Sequence, residues 1–149
     1  MSRHTTYSFL DLAGAISHPF FTQAPVYLFT GEGVGSVTVS MQQEKTAHDI
    51  AADGVVMVSK IAGENGQIRI ECQQTSPLHK YLLGLYNFVM TESTDKWAMM
   101  TVVLRNIHDG TSHVAQGVSF GKIPDKAYAA SGAKIAWVLW AAEIQNLTA

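Results

Sequence analysis

Apolar and polar side chains alternate with a period of two along most of this chain, which commits it to strands that bury one face. Residues 34–41 put Val37, Val39 and Met41 on one side. Residues 67–72 set Ile68, Ile70 and Cys72 against Gln67, Arg69 and Glu71. Residues 97–104 form a nearly continuous apolar run, as a strand covered on both sides would. Residues 113–120 and 133–144 complete the set. In the last of these, Ile135, Trp137 and Leu139 share one face while Ala136, Val138 and Trp140 share the other. A strand apolar on both faces is central or lies at an interface.

Three dipeptides, Asp53-Gly54, Asn65-Gly66 and Asp109-Gly110, tolerate the positive φ that tight hairpins need. They predict that residues 55–62 pair with 67–73 and that 97–106 pair with 113–120. One segment breaks the alternation. Ser76 is a good N-cap and Pro77 suits the first helical position, where its missing N–H costs nothing. Leu78, Leu82, Leu85 and Val89 then recur at helical spacing, with Tyr81 and Phe88 beside them. The expected fold is mainly β, an antiparallel sandwich or barrel with one amphipathic helix over residues 77–91 covering an open side. Residues 1–149 read as a single domain with an extended loop or hairpin at about 42–59.

Charge narrows the functional classes. Charged residues make up 15% of the 149, against roughly 25% in an ordinary soluble domain. Ten basic and twelve acidic residues leave a net charge of -2, which offers no basic footprint for nucleic acid. Residues 12–31 and 110–121 contain no Asp, Glu, Lys or Arg. A free monomer carries more charge than this, so part of the surface is expected to be covered by partners. The first of these stretches is not a membrane span, because it holds Pro19, Pro25, Gln23 and His18. The N-terminus lacks a basic-then-apolar signal pattern, so a cytoplasmic site of synthesis is expected. Cys72 is the only cysteine, which excludes an internal disulfide and a multi-cysteine metal site.

Candidate chemistry is thin. Residues 117–121 match the G-x-S-x-G nucleophile elbow, but no histidine follows His113, and Ser119 reads as an ordinary strand residue. Residues 31–35, rich in glycine, lack phosphate-loop spacing and read as a turn before a strand. His108 and His113 flank a turn without a third ligand nearby. Asp49 and Asp53 lie in a polar stretch, 42–53, that reads as a solvated loop more than as an acid/base pair. Trp137 and Trp140 read as packing residues. No catalytic, cofactor or metal site is expected, and the chain does not read as an enzyme.

The order and spacing of several blocks resemble a family of small phage virion proteins associated with the tail tube. The residues Tyr7-Ser8-Phe9-Leu10-Asp11 resemble that family's first strand. A central block runs from Asp53-Gly54 through Gly66-Gln67-Ile68-Arg69-Ile70 to Gln74-Thr75-Ser76-Pro77, then into Leu82, Leu85, Tyr86 and Asn87. A third holds Gly117-Val118-Ser119-Phe120, Lys122-Ile123-Pro124-Asp125, Gly132 and Ile135-Ala136-Trp137. The family commonly has a basic residue before its Thr-Ser-Pro step, where Gln74 stands here. The resemblance implies a tail-tube-like sandwich or barrel that forms hexameric rings stacked into the tube of a contractile tail. It further implies a sheath protein, a baseplate or initiator and a tape-measure protein as partners. DNA would pass along the lumen without specific binding, in a virion assembled in the host cytoplasm.

Ring closure then needs one subunit's edge strand to meet a different edge of its neighbour. Stacking needs a second surface, for which the polar segment with its Asp53-Gly54 turn is the candidate: Gln42, Glu44, Lys45, His48, Asp49, Asp53 and Gly54. Competing readings are a tube initiator or terminator, a secretion-tube ring, or a monomeric barrel binding a small apolar ligand.

Overall fold

The computed structural model describes residues 4–31 and 33–148. Nine strands and one helix follow in order: β1 (Leu12–Ser17), β2 (Val26–Phe29), β3 (Val34–Met41), β4 (Thr46–Ile50), β5 (Val56–Lys60), β6 (Gly66–Gln73), α1 (Pro77–Thr91), β7 (Met100–Asn106), β8 (Ser112–Lys122) and β9 (Lys134–Leu147). Seven strands make one curled antiparallel sheet in the order β2-β1-β7-β8-β9-β6-β3, and β4 with β5 makes a separate two-stranded sheet. The mainly β, antiparallel, single-helix class is what the alternation requires. β9, apolar on both faces, is an inner strand between β8 and β6.

Turn chemistry explains two of the hairpins and corrects a third. Gly110 has φ +79° between β7 and β8, and Gly54 has φ +90° between β4 and β5. Asn65-Gly66 is not a turn. Gly66 opens β6 opposite Met41 of β3, and Gln42 N–H donates to the Asn65 carbonyl at 3.1 Å. The segment expected to pair with β6 already has β4 as its partner, and the polar stretch read as a loop contains that strand. β6 instead pairs with β3, where Val37 meets Ile70 and Val39 meets Ile68, so the apolar faces match in register. Residues 9–11, expected within a first strand, form a short 3-10 turn, and β1 starts at Leu12. Trp97 likewise caps a 3-10 turn, so β7 begins only at Met100.

The core lies between α1 and one face of the sheet. Ser76 caps the helix as its spacing suggests, accepting from His79 N–H at 3.2 Å. Leu78, Leu82, Leu85 and Val89 are buried in one cluster with Ile68, Ile70, Trp137, Leu139, Val102 and Ile16. Polar groups in this layer are paired, as burial demands. Tyr81 donates to the Ala24 carbonyl at 3.1 Å and stacks on Tyr27, and burial pushes its hydroxyl up to about 12. His18 is fully buried, with Nδ1 accepting from Phe20 N–H and Nε2 facing the Lys96 carbonyl. Those partners place its hydrogen on Nε2, so this neutral ring ties the β1–β2 connection to the chain beyond α1.

His79 and Trp137 join helix to sheet. The Trp137 indole N–H donates to His79 Nδ1 at 3.2 Å, which requires a neutral ring with its hydrogen on Nε2. Burial, helped by the charge of Lys126, holds the His79 pKa below its ordinary 6.5. In the unfolded chain the ring takes up a proton as pH falls through about 6.5, whereas the fold resists that proton. This contribution to stability is therefore complete at neutral pH and declines as pH falls towards the folded-state value. His79→Gln keeps an acceptor for Trp137 but does not titrate. The urea midpoint of this variant should fall less between pH 7 and pH 5 than that of the wild type. Leu82→Ala, at a fully buried site, should lower stability by about 3 kcal/mol in the same assay.

Candidate assembly surfaces

The β4–β5 hairpin stands off the sheet with every residue of both strands exposed. Its register pairs Thr46 with Lys60, His48 with Val58 and Ile50 with Val56 on one face, and Ala47 with Ser59 and Asp49 with Met57 on the other. The first face is apolar towards the tip, where Ile50 is 69% and Val58 63% exposed. At the tip, Val55 N–H donates to Asp53 Oδ1 at 3.1 Å. At the base, Lys45 pairs with Glu64 at 3.1 Å and also donates to the Gly63 carbonyl. A lone two-stranded hairpin is at best marginally stable in water, and this one exposes apolar side chains as well.

The structure thus gathers the proposed contact residues on one projection. Gln42, Glu44 and Lys45 sit at its base, His48 and Asp49 on opposite faces of β4, and Asp53 and Gly54 at its tip. Ser76 and Pro77 lie elsewhere, at the start of α1. The polar pattern missed the exposed apolar residues of the hairpin, Val55 to Val58. Four apolar residues in a row inside a polar stretch were the available signal, masked by the expectation that this strand belonged to the core.

A second surface is the face of the large sheet that α1 leaves open. Leu28, Ala15, Val103 and Val114 form a continuous row across β2, β1, β7 and β8. Both charge-free segments contribute to it. Charges on this face are spread over four strands: Arg69 and Glu71 on β6, Lys122 on β8, Arg105 on β7, and Lys134 and Glu143 on β9. The Trp140 indole lies over Gly121, so close that a Cβ there would sit 2.2 Å from its Nε1. The outer strands of this sheet, β2 and β3, are each paired on one side only among the described residues. All neighbours are antiparallel, so with seven strands β2 and β3 run in the same direction.

The chemical motifs fall in structural settings. Ser119 sits within β8 opposite Trp140, away from any strand-to-helix turn. Residues 31 and 34 close a turn leading into β3 through Val34 N–H to the Gly31 carbonyl at 3.3 Å, while Glu32 lies outside the described residues. His113 bonds to Asn146 across β8 and β9, and His108 N–H donates to Asn106. Asp49 and Asp53 occupy strand and turn of the hairpin. Among the described residues no group of three or more His, Cys, Asp or Glu side chains is placed to hold a metal ion. No described helix is long and apolar enough to cross a membrane.

A family profile described as bacteriophage PhiTE tail tube protein matches residues 4–148. No curated protein matches the sequence. Similar solved structures include a chain of the sheath–tube complex of the extracellular contractile injection system PVC in its extended state, with TM-score 0.59, 9% identity and coverage of 99% of this chain and 95% of that one. A chain of the anti-feeding prophage baseplate, 6-fold symmetrised, aligns with TM-score 0.56 and 13% identity over 99% of this chain and 98% of that one. A chain of the same prophage's tube-terminating cap aligns with TM-score 0.59 and 8% identity over 100% and 95%. At these identities the likeness is one of fold.

The exposed hairpin has a measurable consequence in the free chain. Amides of residues 46–60 should exchange with deuterium at least about a hundredfold faster than those of β6 and β9, because so little packing holds them closed.

Proposed function

Since the chain belongs to the bacteriophage PhiTE tail tube protein family, we propose that it is a structural, non-enzymatic subunit whose copies form hexameric rings stacked into a phage tail tube, the conduit for genome delivery. The observation that carries this reading is the β4–β5 hairpin, an apolar projection that one copy cannot cover by itself. In this reading the hairpin, with Gln42, Glu44, Lys45, His48, Asp49, Asp53 and Gly54, contacts the adjacent ring.

Ring closure follows from the sheet edges. β3 of one copy would meet β2 of the next, satisfying N–H and C=O groups that an edge leaves open. Rotation about the tube axis preserves strand direction, so the two edges would pair in parallel. The joined sheets would turn their open faces inward as the lumen wall. Its neutral row from Leu28 to Val114 and its scattered charges support sliding over sticking, since phosphate binding needs clustered cations. α1 would lie outside, towards a sheath protein. A baseplate or initiator and a tape-measure protein complete the partners, with assembly in the host cytoplasm.

Negative-stain electron microscopy of the purified protein, with its mass in solution, tests the reading. Rings with a central hole or stacked tubes are expected. A homogeneous monomer at every concentration would instead favour the ligand-binding barrel. Deleting residues 42–59 should leave rings but abolish stacking, and tubes of normal length from that variant would remove the hairpin from its role.

A further inference from the structure

The two ends of the sheet differ in charge. At the hairpin end lie Asp11, Asp109 and Glu143, and on the hairpin itself Glu44, Asp49, Asp53 and Glu64, opposed only by Lys45, Lys60 and Arg105. At the other end β8 finishes and β9 begins, joined by residues 123–133. Lys122, Lys126 and Lys134 lie there with two carboxylates, Asp125 and Glu71, so this end is basic where the hairpin end is acidic.

The connection 123–133 is itself unusual. It has no regular structure, and it carries Tyr128, 84% exposed, and the exposed Ile123 among small residues. Lys126 lies 5.2 Å from the Tyr128 ring centroid, so cation and aromatic ring are presented together. Beside the loop is an open cleft of about 320 Å³ lined by Gln73, Gln74, Thr75, Gly132, Ala133 and Lys134. The buried Gln74 Oε1 has no donor among the described residues. A buried acceptor without a partner costs free energy.

We infer that the hairpin of one copy seats on the 123–133 loop and its cleft in the next copy along the tube, Ile50, Val56 and Val58 against Ile123 and Tyr128, with Asp53 at the tip facing Lys126 and Lys134. This rests on the tube reading and specifies which surface receives the hairpin. Five extended residues carry the hairpin tip roughly 17 Å beyond its base. Apolar surface meets apolar surface, and acid meets base. Because the two surfaces lie at opposite ends of one chain, the contact is heterologous and repeats without closing, which produces a directional filament.

Charge reversal tests the assignment. Asp53→Lys, and separately Lys126→Glu with Lys134→Glu, should each raise the concentration needed for tube growth by about fivefold or more at low salt. Combining all three should bring it back to within about threefold of the wild type. A chain carrying Val56→Cys and Tyr128→Cys should, when oxidised in assembled tubes, give a ladder of covalent multimers on a non-reducing gel. Wild-type tubes with no ladder and no rescue would overturn the inference while leaving the tube reading standing. A wild-type chain that never assembles would sink that reading, and the inference with it.

Discussion

Trp137, at the middle of the buried face of β9, donates its indole hydrogen to His79 in the first turn of α1, and the packing of this helix on the sheet supports everything else. One helix can cover one face. The apolar stripe of α1 and the inward residues of β6, β9, β8, β7 and β1 merge into a single core. The opposite face, the free edge of each outer strand and the β4–β5 hairpin are left uncovered among the described residues. A fold that had to survive alone would be expected to charge these surfaces heavily.

Instead the charge is withheld. The two segments with no charged residue contribute neighbouring strands of the large sheet, and their outward residues line up into a neutral row. Low charge density thus marks a particular surface rather than a general property of the chain. Where charge is present it is sorted by end, acidic around the hairpin and basic around the β8–β9 connection. Sorted charge of this kind favours head-to-tail contact over head-to-head, because like ends repel.

Much of the fold was legible from local chemistry. Asp109-Gly110 named its hairpin, since few residues tolerate the φ that turn needs. Ser76-Pro77 and the leucine spacing located the start of α1 and, to within two residues, its end, because capping and helical periodicity act within a few positions. Asn65-Gly66 shows where local chemistry misleads. Its turn-forming residues are present, but β6 gains more from pairing its apolar face with β3 than from folding back on a strand already occupied by β4.

Alternation, turn residues, the capped helix and the scarcity of charge were determined by the sequence alone, because each depends on neighbours a few residues apart. The family resemblance was legible for the same reason. Only the tertiary structure decided which strands pair, which face stays open, that residues 46–60 form a detached hairpin, and that acidic and basic groups separate to opposite ends. Those outcomes depend on competition among distant segments for the same partners. Strand pairing is a choice among edges, and a one-residue periodicity along the chain carries no information about which edge is free.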